Sequence, residues 1–222
     1  MIQLIIRKIT QNGIIGFYEN VLSVLEDYFF DFYYDTETVV KVRIQTLDFE
    51  SKSKLHAYDC YSTRSRSFNK LIAHFDFPEN SELVDFGSGK GKLLMLARNI
   101  GIKKVTGIEL SKDLVNVSLK NIKSFSKKKN YSYKKDFLVI NDDVLNYKIK
   151  DTQNIFFFFN PFDSNIMKKI LNNIILSIKK TNRKVWIIYN NPIFDNLISS
   201  TDFFKEQLSF RYGSVFYIIY TN

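Results

Sequence analysis

From residue 82 onward the sequence alternates between short apolar runs and longer amphipathic ones, and this alternation limits the fold more than any other feature. "ELVDFGS", "KKVTGIEL", "KDFLVINDDV", "NIFFFFNPF" and "RKVWIIYNNP" have the length and the β-branched or aromatic content of strands. "GKLLMLARNIG" reads as a helix closed by Gly101, and "SKDLVNVSLKNIKSF" as a helix with Ser111 as its N-cap. In "NIMKKILNNIILSIKKT", Ile166, Ile170, Ile174 and Ile178 recur at helical spacing. The run Phe156 to Phe159 fits a strand buried on both faces. Such alternation predicts a parallel sheet with helices on both sides. "FFKEQLSFRYG" reads as a strand or a short helix, and after a turn at Gly213 "SVFYIIYTN" reads as a terminal strand. The expected fold is α/β, doubly wound, with a mainly parallel seven-stranded sheet and a C-terminal antiparallel strand at its edge. Residues 81–222 are expected to make up that domain, with residues 1–80 as an N-terminal helical extension.

In the extension, residues 14–34 place Val21, Leu22, Val24, Leu25, Tyr28 and Phe29 at roughly helical spacing, with Glu19, Glu26 and Asp27 toward another face. A helix packed by its apolar side on the rest of the protein, or on another subunit, is expected. Residues 38–50 alternate weakly and suggest a short strand. Residues 51–67 are polar and turn-rich, and lead to a helix at about 67–75.

Composition removes several functions. One cysteine, Cys60, allows no internal disulfide, and two histidines, His56 and His74, leave no metal site expected. In "MIQLIIRKITQNG" the charges follow the apolar run, so no secretory signal is expected. No stretch approaches the ~20 apolar residues of a membrane span. A cytoplasmic protein without membrane attachment follows. The net charge of +9 is uneven: residues 1–80 hold nine basic against eleven acidic side chains, and residues 81–222 hold 23 against twelve. A nucleic-acid partner is possible on that ground. It is not favoured, because lysines outnumber arginines 25 to 7 and much of the charge falls in the solvated "KNIKSFSKKKNYSYKK".

The glycine-rich turn in "LVDFGSGKGKLL" carries the most chemistry. A phosphate loop of the G-x-x-x-x-G-K-[ST] type fails, since Gly87 to Gly91 is one residue short and Leu93 replaces the magnesium-binding hydroxyl. A dinucleotide fingerprint fails as well, because Leu94 stands where a third glycine or alanine is needed. Asp85 ends the strand two residues before Gly87. A carboxylate there is unfavourable beside a pyrophosphate and favourable beside a cationic amine. Glu109 ends the second strand 18 residues after Gly91, where an acid can accept both ribose hydroxyls.

Asp85, Gly87, Gly89, Gly91 and Glu109 in this order resemble the D-x-G-x-G-x-G pattern of class I S-adenosylmethionine-dependent methyltransferases. With "GIELS" and "NPF" they look most like a group of small bacterial methyltransferases of poorly assigned substrate. The resemblance is specific over residues 82–162. It implies S-adenosyl-L-methionine as cofactor, with Asp85 toward its methionine end and Glu109 and Leu110 at the ribose. It places Asp142, in preference to Asp143, at the adenine amine, and Asn160 near both cofactor and acceptor. The upstream "HAYDCYS" resembles a segment of that group that helps cover the cofactor, which brings in Tyr61 and Ser62. Asn160-Pro161-Phe162 partly matches [DNS]-P-P-[YFW], whose aromatic stacks on a planar nitrogen acceptor. The second proline is missing, so a simple turn explains it equally. His56 is the candidate general base, needed only if the acceptor loses its proton.

The implied function is methyl transfer to an N or O acceptor, either a protein amine or a small molecule or sugar. The alternative is a non-catalytic S-adenosylmethionine-binding or interaction protein of the same fold.

Overall fold

The computed structural model describes residues 2–40, 62–160 and 162–222 of the chain. The expected strand at 38–50, His56 and Tyr61 lie wholly or largely outside these residues.

Strands β1 (Glu82–Phe86), β2 (Lys104–Glu109), β3 (Phe137–Asn141), β4 (Ile155–Phe158) and β5 (Trp186–Asn190) run parallel. β6 (Lys205–Tyr212) and β7 (Val215–Thr221) complete a seven-stranded sheet in the order β3-β2-β1-β4-β5-β7-β6. β7 is antiparallel to both neighbours, so the antiparallel strand lies one place in from the edge and β6 takes the edge. The "KEQLSFRY" segment is therefore a strand. Its half-buried Leu208 and Phe210 pack on the core while the residues between them face solvent.

Side-chain alternation divides the interior into two layers. Phe156 and Phe158 join Val84, Phe86, Ile187 and Tyr189 on one face of the sheet. Helix α6 (Ser164–Lys180) covers this layer with Ile166, Ile170, Ile174 and Ile178, the spacing seen in the sequence. Asp163 caps that helix by accepting from the backbone N–H groups of Asn165 and Ile166. Phe157 faces the other way with Leu83, Val105, Trp186 and Ile188. There it meets α2 (Ser65–Ile72) and α3 (Lys92–Asn99), and α4 (Lys112–Lys129) extends the layer through Ile122 and Phe125. Two short helices, α5 (Tyr133–Asp136) and α7 (Asn196–Ser199), lie in connections. The strand order reverses between β1 and β4, which opens a crevice at their C-terminal ends, the usual place for a ligand in an open α/β sheet.

The N-terminal helix α1 (Ile2–Tyr34) is longer than the sequence suggested and changes direction at Gly13. Of the two packings expected for its apolar side, the one on the rest of the protein is not seen among the described residues. Val21, Leu25, Tyr28 and Phe29 are exposed, whereas Ser23, Asp27 and Phe30 are buried. Glu19 accepts from the backbone N–H of Gly213, and Asn20 accepts from the N–H and Oγ of Ser214. Glu26 pairs with Arg66. The polar side of the helix is bonded inward because the fold supplies it with donors.

Gly91 opens α3 in a left-handed conformation, and an added Cβ would lie 2.3 Å from Ser118 Oγ on α4. Replacing Gly91 by Ala is expected to cost about 1–3 kcal/mol in a denaturant titration, through backbone strain and steric overlap together. The double change with Ser118→Gly should recover only the overlap part.

Candidate functional site

The site begins with the end of β1. Asp85 is 5% exposed, and its carboxylate makes no hydrogen bond to any described residue. Burial pushes its pKa well above the usual carboxylate range, and the nearby Glu109 carboxylate adds to the shift. The chain then turns through Gly87 and Gly89, both at positive φ, so that the N–H groups of Gly87 and Ser88 donate to the carbonyl of Ile108 on β2. Glu109 ties this turn to the start of α4. Its Oε2 accepts from the Gly89 N–H at 2.8 Å and its Oε1 from the Ser111 N–H at 2.9 Å. Burial raises the Glu109 pKa too, and these backbone donors oppose the rise.

Asp85, Gly87, Ser88 and Gly89 line a cleft of about 30 Å³, narrowed from above by Thr38, Val40 and Lys90. Lys90 Nζ donates to the Val40 carbonyl at 2.5 Å. Asp31 holds the residues before it through Thr36 Oγ1, Thr38 Oγ1 and the N–H groups of Thr38 and Val39. Residues 36–40 thus form a strap across the glycine turn.

A larger cavity of about 350 Å³ adjoins the cleft and shares Ser62 and Phe159 with it. Asp27, Arg64, Asn190 and Asn191 complete most of its wall. Around the two spaces Ser62 Oγ, Ser88 Oγ and Asn190 Oδ1 are buried without a hydrogen-bond partner. Buried polar atoms left without partners are uncommon, and these three lie beside the spaces a ligand would enter. Beneath the site runs a buried ion pair, Lys92 Nζ to Asp27 Oδ1 at 2.6 Å, with both side chains almost wholly inaccessible. Arg64 and both the N–H and Oγ of Ser65 also donate to Asp27.

The residues expected from sequence fall into three groups. Asp85, Gly87, Gly89 and Ser62 meet at the cleft. Glu109 and Leu110 stand behind it, where the Glu109 and Leu110 carbonyls accept from Asn141 Nδ2. Asp142 is exposed at the end of β3 and accepts from the Asp143 N–H and Asn146 Nδ2. Gly91 faces α4 rather than the cleft.

Two expectations change. Phe162 is 5% exposed and packs edge-on against Phe158 in the core beneath α6, so its ring is not available to stack on an acceptor. Phe159 occupies the lip instead. Asn160 turns its amide toward the loop after β5, with Nδ2 donating to the Asn191 carbonyl at 2.5 Å. One of its two N–H donors joins the ends of β4 and β5, and the other is left for a ligand.

Sequence reasoning missed Lys90, Lys92 and Asp27, whereas "YNNP" at the end of the fifth strand reads as either a pocket lining or a turn, and Asn190 and Asn191 do line the larger cavity. Lys92 carried a signal, since a lysine at the start of the apolar "LLMLA" segment needs a buried acid. No group of His, Cys, Asp and Glu able to hold a metal occurs among the described residues. Nor is any helix there long and apolar enough to cross a membrane.

No family model matches the chain, and no curated protein matches it in sequence. Solved structures do resemble it. One is yhhF of Escherichia coli, a candidate methyltransferase, at TM-score 0.55 and 15% identity over 82% of this chain and 98% of that one. Another is an RNA methyltransferase from Salinibacter ruber bound to S-adenosyl-L-homocysteine, at TM-score 0.53 and 17% identity over 72% and 92%. A third is a candidate tRNA (m1A22) methyltransferase of Streptococcus pneumoniae, at TM-score 0.50 and 14% identity over 70% and 68%. The chain has the Rossmann-like methyltransferase fold.

Proposed function

We propose that the protein is an S-adenosylmethionine-dependent methyltransferase acting on a nitrogen or oxygen acceptor. The observation that carries this reading is the buried Asp85 carboxyl, which lacks any hydrogen bond in the described structure and faces the cleft made by the glycine turn. An anionic phosphate is disfavoured there and an ammonium group is favoured. When bound, the cofactor supplies a methyl group on a sulfonium with its leaving group already in place.

The protein's tasks are then alignment and exclusion of water. Asp85 would receive the amino group, and the Gly87 and Gly89 backbone would allow its close approach. Each Glu109 oxygen keeps a lone pair for ribose hydroxyls beyond its backbone donor. Leu110, Asp142, Asn160, Tyr61 and Ser62 would surround the rest, and the strap at 36–40 would move aside to admit it. On this reading residues 1–80 cover the site and residues 81–222 bind the cofactor. His56 remains the candidate base for an acceptor that must lose a proton.

The acceptor would enter the adjoining cavity. Asn190 Oδ1 and Ser62 Oγ offer acceptors to its N–H or O–H groups, and Phe159 lies between it and the cofactor. A non-catalytic binder has no need of this second cavity. RNA is the second reading for the acceptor, favoured by the basic excess of residues 81–222 and by the RNA methyltransferases among similar folds.

The test is transfer of label from methyl-labelled S-adenosylmethionine to a cell extract, divided afterwards by protease, nuclease and size. Label in one fraction names the acceptor class. Once that is known, Asn190→Leu should raise the acceptor KM about tenfold and leave cofactor affinity unchanged, because one buried hydrogen bond is lost. Failure to bind S-adenosylmethionine at about 1 mM in calorimetry would defeat the assignment.

A further inference from the structure

We propose that the outward face of α1 is the interface of a homodimer. Six residues form a seam at alternating spacings of four and three: Ile14, Tyr18, Val21, Leu25, Tyr28 and Phe32. They are between 39% and 84% exposed. Ile15, Phe29 and Tyr33 flank the seam and are also exposed. Between residues 14 and 33 every exposed position of the helix is apolar or aromatic, while its acidic residues are bonded inward. This is the reverse of a solvent-facing helix, and the 4-3 spacing is that of a helix packed on a helix.

A second copy fits this face better than other occupants. The exposed apolar area amounts to roughly 1,000 Å² from the fractional exposures, while a stable interface needs about 800 Å² from each partner. Monomers rarely leave so large a patch open. The seam has no charge, so two copies can meet across a twofold axis without like-charge repulsion. A lipid surface is a poorer match, because the charged residues of 14–34 are all acidic, whereas interfacial helices are rich in lysine and arginine on the polar face. The face belongs to the helix that also supplies Asp27 to Lys92, so pairing would stiffen the support of the glycine turn.

Sedimentation equilibrium of the full chain at about 1–50 µM should show a dimer, and Leu25→Glu or Phe32→Glu should weaken it about 100-fold with unchanged circular dichroism. A wild-type monomer over that range would overturn the proposal, whether or not it floats with phosphatidylglycerol vesicles. A dimer that survives both substitutions would also overturn it, by placing the interface elsewhere. If either substitution prevents folding, single cysteines decide the matter in a Cys60→Ser background. Leu25→Cys should form an intermolecular disulfide under mild oxidation. Leu176→Cys, an exposed residue on α6, should not. Equal cross-linking of the two would count against the seam.

Discussion

Replacing Asp85 by Asn is expected to weaken S-adenosylmethionine binding by about 100-fold, or about 2.7 kcal/mol, and to raise the melting temperature at pH 8. The two effects share a cause. Burial, and then the Glu109 charge, push the Asp85 pKa well above its unfolded value. A carboxyl so shifted holds its proton more tightly in the folded state. Its contribution to stability is therefore full below the unfolded pKa and is lost as pH rises through the folded pKa. A neutral amide escapes that loss, so the gain over wild type should appear at pH 8 and vanish near pH 4. An ammonium ligand favours the ionised carboxyl, so wild-type affinity should fall as the solution is made more acid. Calorimetry and thermal melts across this range measure both. An unchanged dissociation constant in Asp85→Asn would remove Asp85 from the binding site.

The second large effect is structural. Asp27→Ala is expected to cost about 3–5 kcal/mol, because it leaves the Lys92 ammonium buried and uncompensated. Ser65 loses an acceptor for both its N–H and its hydroxyl. Urea unfolding followed by the fluorescence of the single tryptophan, buried Trp186, measures the loss. The double variant Asp27→Leu with Lys92→Met should recover most of it, since apolar pairs often replace buried ion pairs without cost. If Asp27→Ala costs less than about 1 kcal/mol, the pair is not the tie that holds α1 to α3. Burial pushes the Asp27 pKa up, but the Lys92 charge and the bonds from Lys92, Ser65 and Arg64 together bring it below the usual value. Its contribution is present above the unfolded pKa and is lost as pH falls through the folded one. The difference between wild type and Asp27→Ala should therefore shrink on the acid side of pH 4.

The centre of the sheet was legible because β1, β2, β4 and β5 are buried on two faces and α6 on one, so their apolar patterns report burial directly. The glycine turn was legible because its spacing excludes phosphate loops. What remained hidden depended on partners far away in sequence. Nothing near Asp27 shows that Lys92, 65 residues on, waits for it. The choice for α1 between packing on the rest of the protein and packing on another subunit stayed open for the same reason: the inward donors that claim its acids lie far away in the chain. The start of α1 was missed because Gly13 reads as a turn. Phe162 was left open between stacking on an acceptor and a simple turn because a motif gives the order of residues but not which side of the crevice each one faces. Asn190 was legible only in part: "YNNP" at the end of the fifth strand could line a pocket or simply make an Asn-Pro turn, and sequence does not separate the two.

The contacts from Glu19 and Asn20 to Gly213 and Ser214 bridge 194 residues of chain. During synthesis α1 leaves the ribosome well before these partners, which lie in the hairpin that closes the sheet. The helix must wait, with an apolar side bare, while the sheet assembles. Long-range closures of this kind are slow and come late in folding. Docking of α1 is thus expected among the final steps, and the strap and the Asp27–Lys92 pair would come into place with it. A ligand site that depends on them would mature only when the last strand is home.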